Sequence, residues 1–208
     1  MNDGNVTNTL ASLNKNRSKW TEEFPPMLVK LDNPPAAICT GQHLVVVEHM
    51  ETRVHVMDTT SQEWFSVSSL PEDLVHPSLA ASGTELYVLS YVGSVFSCSL
   101  PTLLQSSSAV QPKTTEVWRK LASVPVEDST LTTLNRQLVA VGGHKVDFEP
   151  IETIHINPSV DSWHIIRRMP TAQYNCLVAT LPGDTLVVTG GFTRGRSPCD
   201  IVEVAYAV

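Results

Sequence analysis

Apolar and polar residues alternate in short bursts along this chain, and the bursts fall between residues that favour turns. Four segments align on a leucine: "GQHLVVVEH" (41–49), "GTELYVLSY" (83–91), "NRQLVAVGG" (135–143) and "GDTLVVTGG" (183–191). Each opens with Gly or Asn three positions before Leu44, Leu86, Leu138 or Leu186. Those residue types tolerate the positive φ of tight hairpin turns. A short apolar run precedes each turn, "AAICT", "SLAA", "TLTTL" and "CLVAT", so the pattern predicts a hairpin four times over.

A third strand follows each hairpin: "TRVHVMD", "GSVFSCS", "ETIHIN" and "DIVEVAYA". These alternate in polarity and are rich in Val and Ile, as half-buried strands are. Asp58 stands six residues before Trp64 and Asn157 six before Trp163, and both are expected to start the turn into a fourth strand. The tryptophans themselves recur at Trp20, Trp64, Trp118 and Trp163. The last three are followed seven residues later by Pro71, Pro125 and Pro170, where a residue without an N–H ends a sheet ladder. The longest spacing, between Trp64 and Trp118, contains the insertion "LPTLLQSSSAVQPKTTE". No segment of ten or more residues shows helical periodicity, so the fold class is all-β. The predicted units lie near 36–71, 78–125, 129–170 and 175–208, after a 1–19 leader that itself resembles the remnant of a preceding unit, because Asn14 lies six residues before Trp20.

This repeat resembles the kelch repeat, whose marks are a diglycine ending the second strand and a spaced tryptophan in the fourth. Gly142-Gly143, Trp163 and Pro170 make 129–170 the most faithful unit, and Gly190-Gly191 repeats the doublet. The resemblance covers about residues 20–208 and implies a β-propeller whose blades stabilise one another. It assigns Trp20, Trp64, Trp118 and Trp163 to packing, with Gly142, Gly143, Gly190 and Gly191 as architecture. Glu48-His49 and Ser90-Tyr91 stand where two doublets should be, marking either degenerate blades or side chains placed for contact. The count of about four blades favours a partial or decayed propeller over a closed four-bladed ring, and self-association would relieve any exposed sheet edge.

Composition narrows the function. Hydrophobic residues at 42% and a net charge of −7 fit a soluble domain without a nucleic-acid-binding surface. No apolar run approaches the roughly 18 residues of a membrane span, and the first residues have neither signal- nor transit-peptide character, so a cytoplasmic location is expected. Cys39, Cys98, Cys176 and Cys199 are far apart. They form no zinc pair, and the first three, lying in apolar runs, are expected to be buried free thiols. Nothing matches a phosphate-binding glycine loop, a GxSxG elbow or HExxH, and neither metal nor cofactor is expected. His55 and His155 occupy matching places in third strands and read as structural.

Some kelch propellers are enzymes, copper-radical oxidases and a sugar epimerase among them. The copper type needs tyrosines and histidines converging on one face, and of Tyr87, Tyr91, Tyr174 and Tyr206 only Tyr91 and Tyr174 fall near strand ends. The resemblance therefore points to a non-enzymatic module that binds another protein through the loops joining strands two and three and strands four and one. The loops "HKVDFEP" and "FTRGRSP" mix aromatic and charged residues, as interface hot spots do. The candidate contacts are His49, Arg53, Tyr91, His144, Lys145, Phe148, Arg194 and Arg196. Recruitment of substrates to a ubiquitin ligase, common in the family, would need a BTB or F-box domain on a longer chain or a second subunit. The alternative is a carbohydrate or small-molecule propeller using the channel mouth.

Overall fold

The structure is a computed structural model and describes residues 12–13, 20–21, 24–27, 29–31, 33–106, 117–145, 148–159, 162–183 and 185–206. A two-residue pair, β1 (Ser12–Leu13) with β2 (Trp20–Thr21), precedes the repeats. The rest of the 1–19 leader lies outside the described residues, as do Val146 and Asp147. Of Trp20 only the backbone is described, so its expected packing role also lies outside.

Four antiparallel sheets then follow one another in a ring. The first is β3 (Ala36–Thr40), β4 (His43–Val47), β5 (Val54–Asp58) and β6 (Glu63–Ser66). The second is β7 (Ser78–Ser82), β8 (Glu85–Leu89), β9 (Val95–Ser99) and β10 (Arg119–Lys120). The third is β11 (Thr130–Leu134), β12 (Gln137–Val141), β13 (Thr153–Ser159) and β14 (Ser162–Arg168). The fourth holds β15 (Leu177–Leu181), β16 (Thr185–Thr189) and β19 (Val202–Tyr206), with a small hairpin, β17 (Phe192–Thr193) and β18 (Ser197–Pro198), between the last two. Within each sheet the strands pair in chain order as a meander. Every loop between strands two and three therefore emerges at the same end as the linker from strand four to the next sheet. The first strands, β3, β7, β11 and β15, touch in succession and line the axis.

Burial follows the strand period. Val45, Val47, Val54 and Val56 of the first blade pack against Leu86, Val88, Phe96, Cys98 and Trp118 of the second. Val139, Val141 and Ile154 of the third meet Leu186 and Val188 of the fourth. Each fully buried Val or Leu contributes roughly 1.5–3 kcal/mol, so the blades hold one another. The indoles add one directed bond per junction. Trp64 Nε1 donates to the Pro25 carbonyl at 3.1 Å, Trp118 Nε1 to Ser68 at 3.1 Å, and Trp163 Nε1 to Ala122 at 2.8 Å.

Three details depart from the sequence reading. The insertion of the second unit begins with a helix, α1 (Leu100–Gln105), capped by the Ser99 hydroxyl, which accepts from Thr102 N; at six residues it is too short to show a period. Asp58 does start its turn, its Oδ1 accepting from Thr60 N and Ser61 N. Asn157 does not, because β13 runs on to Ser159 and encloses it. Cys39 is exposed rather than buried, whereas Cys98 and Cys176 are buried. It lies opposite Leu44 on the side of the first blade turned away from the second, where no described blade covers β3. Among the described residues no helix is long and apolar enough to cross a membrane.

The buried third-strand histidines differ in a way that pH can read. His55 Nε2 lies 2.6 Å from Glu48 Oε1, and Glu48 itself is only 5% exposed. His155 has no such carboxylate, since Gly142 holds the equivalent place, and burial pushes its pKa below the ordinary 6.5. Between that lowered value and 6.5 the unfolded chain holds the extra proton, so His155 supports the fold fully above 6.5 and less as pH falls through the window. Phe96 fills the same register position in the second blade. His155→Phe should therefore flatten the decline in melting temperature between about pH 7 and about pH 5; an unchanged slope would assign that decline elsewhere.

Candidate functional site

The candidate face grows from the way strand two ends. In each blade a ring-bearing residue follows the β-run: His49, Tyr91, His144 and Phe192. Its backbone leans against the neighbouring linker. Tyr91 N donates to Val75 O at 2.8 Å, His144 N to Glu127 O at 2.8 Å, and Phe192 N to Tyr174 O at 2.9 Å. The linkers turn at residues held at positive φ, His76, Asp128 and Asn175, each two positions before a first strand. Asn and Asp accept that conformation readily.

Loops and linkers thereby interleave their side chains into one arc. His49 lies 4.8 Å from His76 between ring centroids, His76 5.9 Å from Tyr91, and Tyr91 5.6 Å from His144. His144 stands 5.1 Å from Tyr174, and Tyr174 5.7 Å from Phe192. Phe148 branches off at 4.8 Å from His144, and the Arg196 guanidinium lies over it, 4.2 Å from the ring centre. Stacked and edge-on rings at these distances attract, and the cation over an aromatic face adds to that.

Hydrogen bonds fix the middle of the arc. The buried His144 ring meets the Tyr91 hydroxyl at Nε2, 3.0 Å away, and the Lys145 carbonyl at Nδ1, 2.8 Å away. His49 Nδ1 accepts from His76 N at 2.9 Å. Burial, then the charge of His76, holds the His49 imidazole below its usual pKa. Burial pushes the Asp128 carboxyl up, against the opposing pull of His76 and His144. Inside the arc the axis opens into a cavity of about 460 Å³, lined by His49, His76, Asp128 and Asn175 and by the starts of β7 and β11.

Of the residues singled out from sequence, the structure brings His49, Tyr91, His144, Phe148 and Arg196 together. Arg53 is tied elsewhere, to Glu48 at 3.0 Å and Glu51 at 3.5 Å. Lys145 is exposed at the rim, and Arg194 is exposed in the short 3-10 turn Arg194–Arg196 between β17 and β18. His76, Asp128, Tyr174 and Phe192 lie on the loops and linkers expected to form this face, though the sequence reading did not single them out as contacts. Tyr91 and Tyr174, the two tyrosines read as lying near strand ends, converge with histidines on this face, and the linkers supply two of the rings, His76 and Tyr174. Among the described residues no group of three or more His, Cys, Asp or Glu side chains could hold a metal ion. Glu48 is no loop contact; it turns inward to His55 and Arg53.

The doublet glycines sit beneath this face. A Cβ on Gly142 would lie 2.3 Å from the Gln173 carbonyl oxygen, one on Gly143 2.6 Å from that of Glu127, and one on Gly191 2.4 Å from that of Tyr174. The glycines let the loops approach the linkers closely enough for the arc to form. Gly190 has nothing within 4 Å of that position.

No family model matches the sequence, and no curated protein matches it. Among solved structures the fold is similar to that of YjhT, over 100% of this chain and 78% of that one, with a TM-score of 0.73 and 11% identity. The likeness is one of fold alone: four antiparallel sheets in a ring, a propeller-like arrangement shared with YjhT.

Proposed function

We propose that the chain is a kelch-type propeller segment that binds another protein through the face bearing the aromatic arc. One observation carries the reading: an unbroken row of rings crosses all four blades on a single face, with Arg196 stacked at its edge. Aromatic residues and arginine dominate the binding energy of protein interfaces, and backbone hydrogen bonds hold these rings in place before any partner arrives. The arc joins six rings in succession and lies open at His76, Phe148 and Arg196.

With the chain as bait in an extract of its own cells, a specific partner should be retained. Tyr91→Ala combined with Arg196→Glu should release it. Retention that survives both changes would move the interface off this face. The cavity at the axis favours a second reading, in which Asp128 and the His49–His76 pair hold a polar small molecule such as a sugar. Under that reading Asp128→Asn abolishes sugar binding while protein capture persists.

A further inference from the structure

The linker turns at His76, Asp128 and Asn175 carry the arc, and the N–H of each turn residue has its own acceptor. Asp128 N donates to the Tyr91 carbonyl at 2.8 Å, and Asn175 N to the Asp128 carbonyl at 3.1 Å. His76 N donates instead to a side chain, His49 Nδ1, at 2.9 Å. All three residues sit at positive φ two positions before a first strand. Backbone oxygens take up no proton in the ordinary pH range. An imidazole nitrogen does, and it accepts a hydrogen bond only while it is bare.

The proton count on His49 therefore decides whether the first linker stays docked. In the neutral ring the N–H lies on Nε2. A second proton must go to Nδ1, where it would point at the His76 N–H, donor against donor. The charge so made would also stand 4.8 Å from the His76 ring. His144, which likewise follows a second strand, is built the opposite way. A carbonyl only accepts, so its Nδ1 donates to the Lys145 oxygen. A proton added at Nε2 turns the Tyr91 hydroxyl from donor to acceptor and keeps that bond.

The surroundings offer a proton on His49 little compensation. On its own loop, Glu48 turns inward to His55 and Arg53, and Glu51 pairs with Arg53. The linker to the second blade presents His76, with Tyr91 beyond it. Across the cavity the next two linkers present Asp128 and Cys176. The Asp128 carboxyl is coupled to His76 and His144, and burial pushes the Cys176 thiol up to about 11, which keeps it neutral. Burial and the charge of His76 hold the His49 imidazole below its ordinary 6.5.

We propose that His49 is a proton gate on the aromatic face. With Nδ1 bare the His76 linker is docked and the arc is continuous; protonation releases that linker, cuts the arc between His49 and Tyr91, and weakens partner binding. This regulation presupposes that the aromatic face is the binding surface. Its sign follows from linkage. The released imidazole takes a proton more readily than the docked one, so docking is strongest above 6.5 and weakens as pH falls below it. Uptake of one proton allows a change of up to about twentyfold between about pH 7 and about pH 5.

Amide exchange followed by NMR on the full chain tests the gate without a partner. After correction for the intrinsic pH dependence of exchange, protection at the His76 amide should fall by roughly tenfold to twentyfold over that interval. The Asp128 and Asn175 amides should keep theirs. His49→Asn supplies an amide oxygen near the place of Nδ1, an acceptor that does not titrate, and should abolish the change at His76. If that variant does not fold, the ring-nitrogen shifts of His49 in the parent decide instead: Nδ1 should be bare at about pH 7 and titrate together with the loss of His76 protection. The proposal fails if His76 stays protected at about pH 5, or if all three amides lose protection together. In a second arm, a captured and purified partner is titrated at both pH values. The parent should lose about fivefold more affinity than His49→Asn, whatever the variant's affinity at about pH 7. Equal losses overturn the proposal even where His76 is released. A chain that captures no partner at either pH overturns the binding reading, while the exchange result still decides the gate.

Discussion

Trp118→Ala should lower the free energy of unfolding by roughly 3–5 kcal/mol, the range for truncating a large buried aromatic, and is the most damaging single truncation expected in this chain. The ring is 5% exposed and lies in the core shared by the first two blades. Losing it opens a cavity and leaves the Ser68 carbonyl without its indole donor. Trp118→Phe separates the two effects. It keeps most of the packing and gives up the hydrogen bond, for a loss nearer 1 kcal/mol plus the smaller ring's shortfall. Trp64 and Trp163 are only partly buried, so their alanine variants should cost less than that of Trp118. Urea midpoints measured on the set would show this order. A Trp118→Ala unfolding free energy within about 1 kcal/mol of the parent would mean that the blades do not depend on the indole.

Gly142→Ala should be nearly as destructive, for a different reason. Gly142 has φ +64°, and its added Cβ would meet the Gln173 carbonyl oxygen at 2.3 Å. That atom belongs to backbone and cannot rotate away. The left-handed conformation costs a non-glycine residue roughly 1–2 kcal/mol, and overpacking adds roughly 1–3 kcal/mol. Gly190 provides the control within the same molecule, with φ +71° and open space around its Cβ position. Gly190→Ala should therefore show only the conformational cost. Equal melting temperatures for the two variants would show that close approach between loop and linker is not what holds these glycines. Because that approach also seats His144 and its neighbours, Gly142→Ala should weaken partner binding even where the protein still folds.

The repeat was legible because a buried strand imposes a period of two and a hairpin imposes a glycine or asparagine at a fixed offset. Leu44, Leu86, Leu138 and Leu186 satisfy both constraints, and their alignment locates every sheet. Half of the site was legible for the same reason, since His49, Tyr91 and His144 end aligned strands. His76 and Tyr174 lay on linkers expected at this face but were not singled out, because linkers of unequal length break the alignment on tryptophan. Counted backwards from the first strand, His76, Asp128 and Asn175 fall at the same offset, and that signal could have been found. Glu48 was ambiguous because an acidic residue in place of glycine reads equally as decay or as contact. The structure gives it a third role: pairing with His55 and Arg53 in a place where the third blade keeps Gly142 and leaves His155 without a carboxylate. Cys39 misled because an apolar run has two sides, and one side of the first blade is uncovered at β3.

The central claim is that the face carrying the arc is the binding surface. Its most direct test is the affinity of a captured partner, purified and titrated against three proteins. These are the parent chain, the Tyr91→Ala/Arg196→Glu double variant, and Gln42→Lys, an exposed turn residue at the opposite end of the first blade. The account predicts that the double variant loses about 2 kcal/mol or more, roughly thirtyfold in Kd, while Gln42→Lys binds as the parent does. A partner that binds the double variant as tightly as the parent, or is lost on Gln42→Lys, would contradict it.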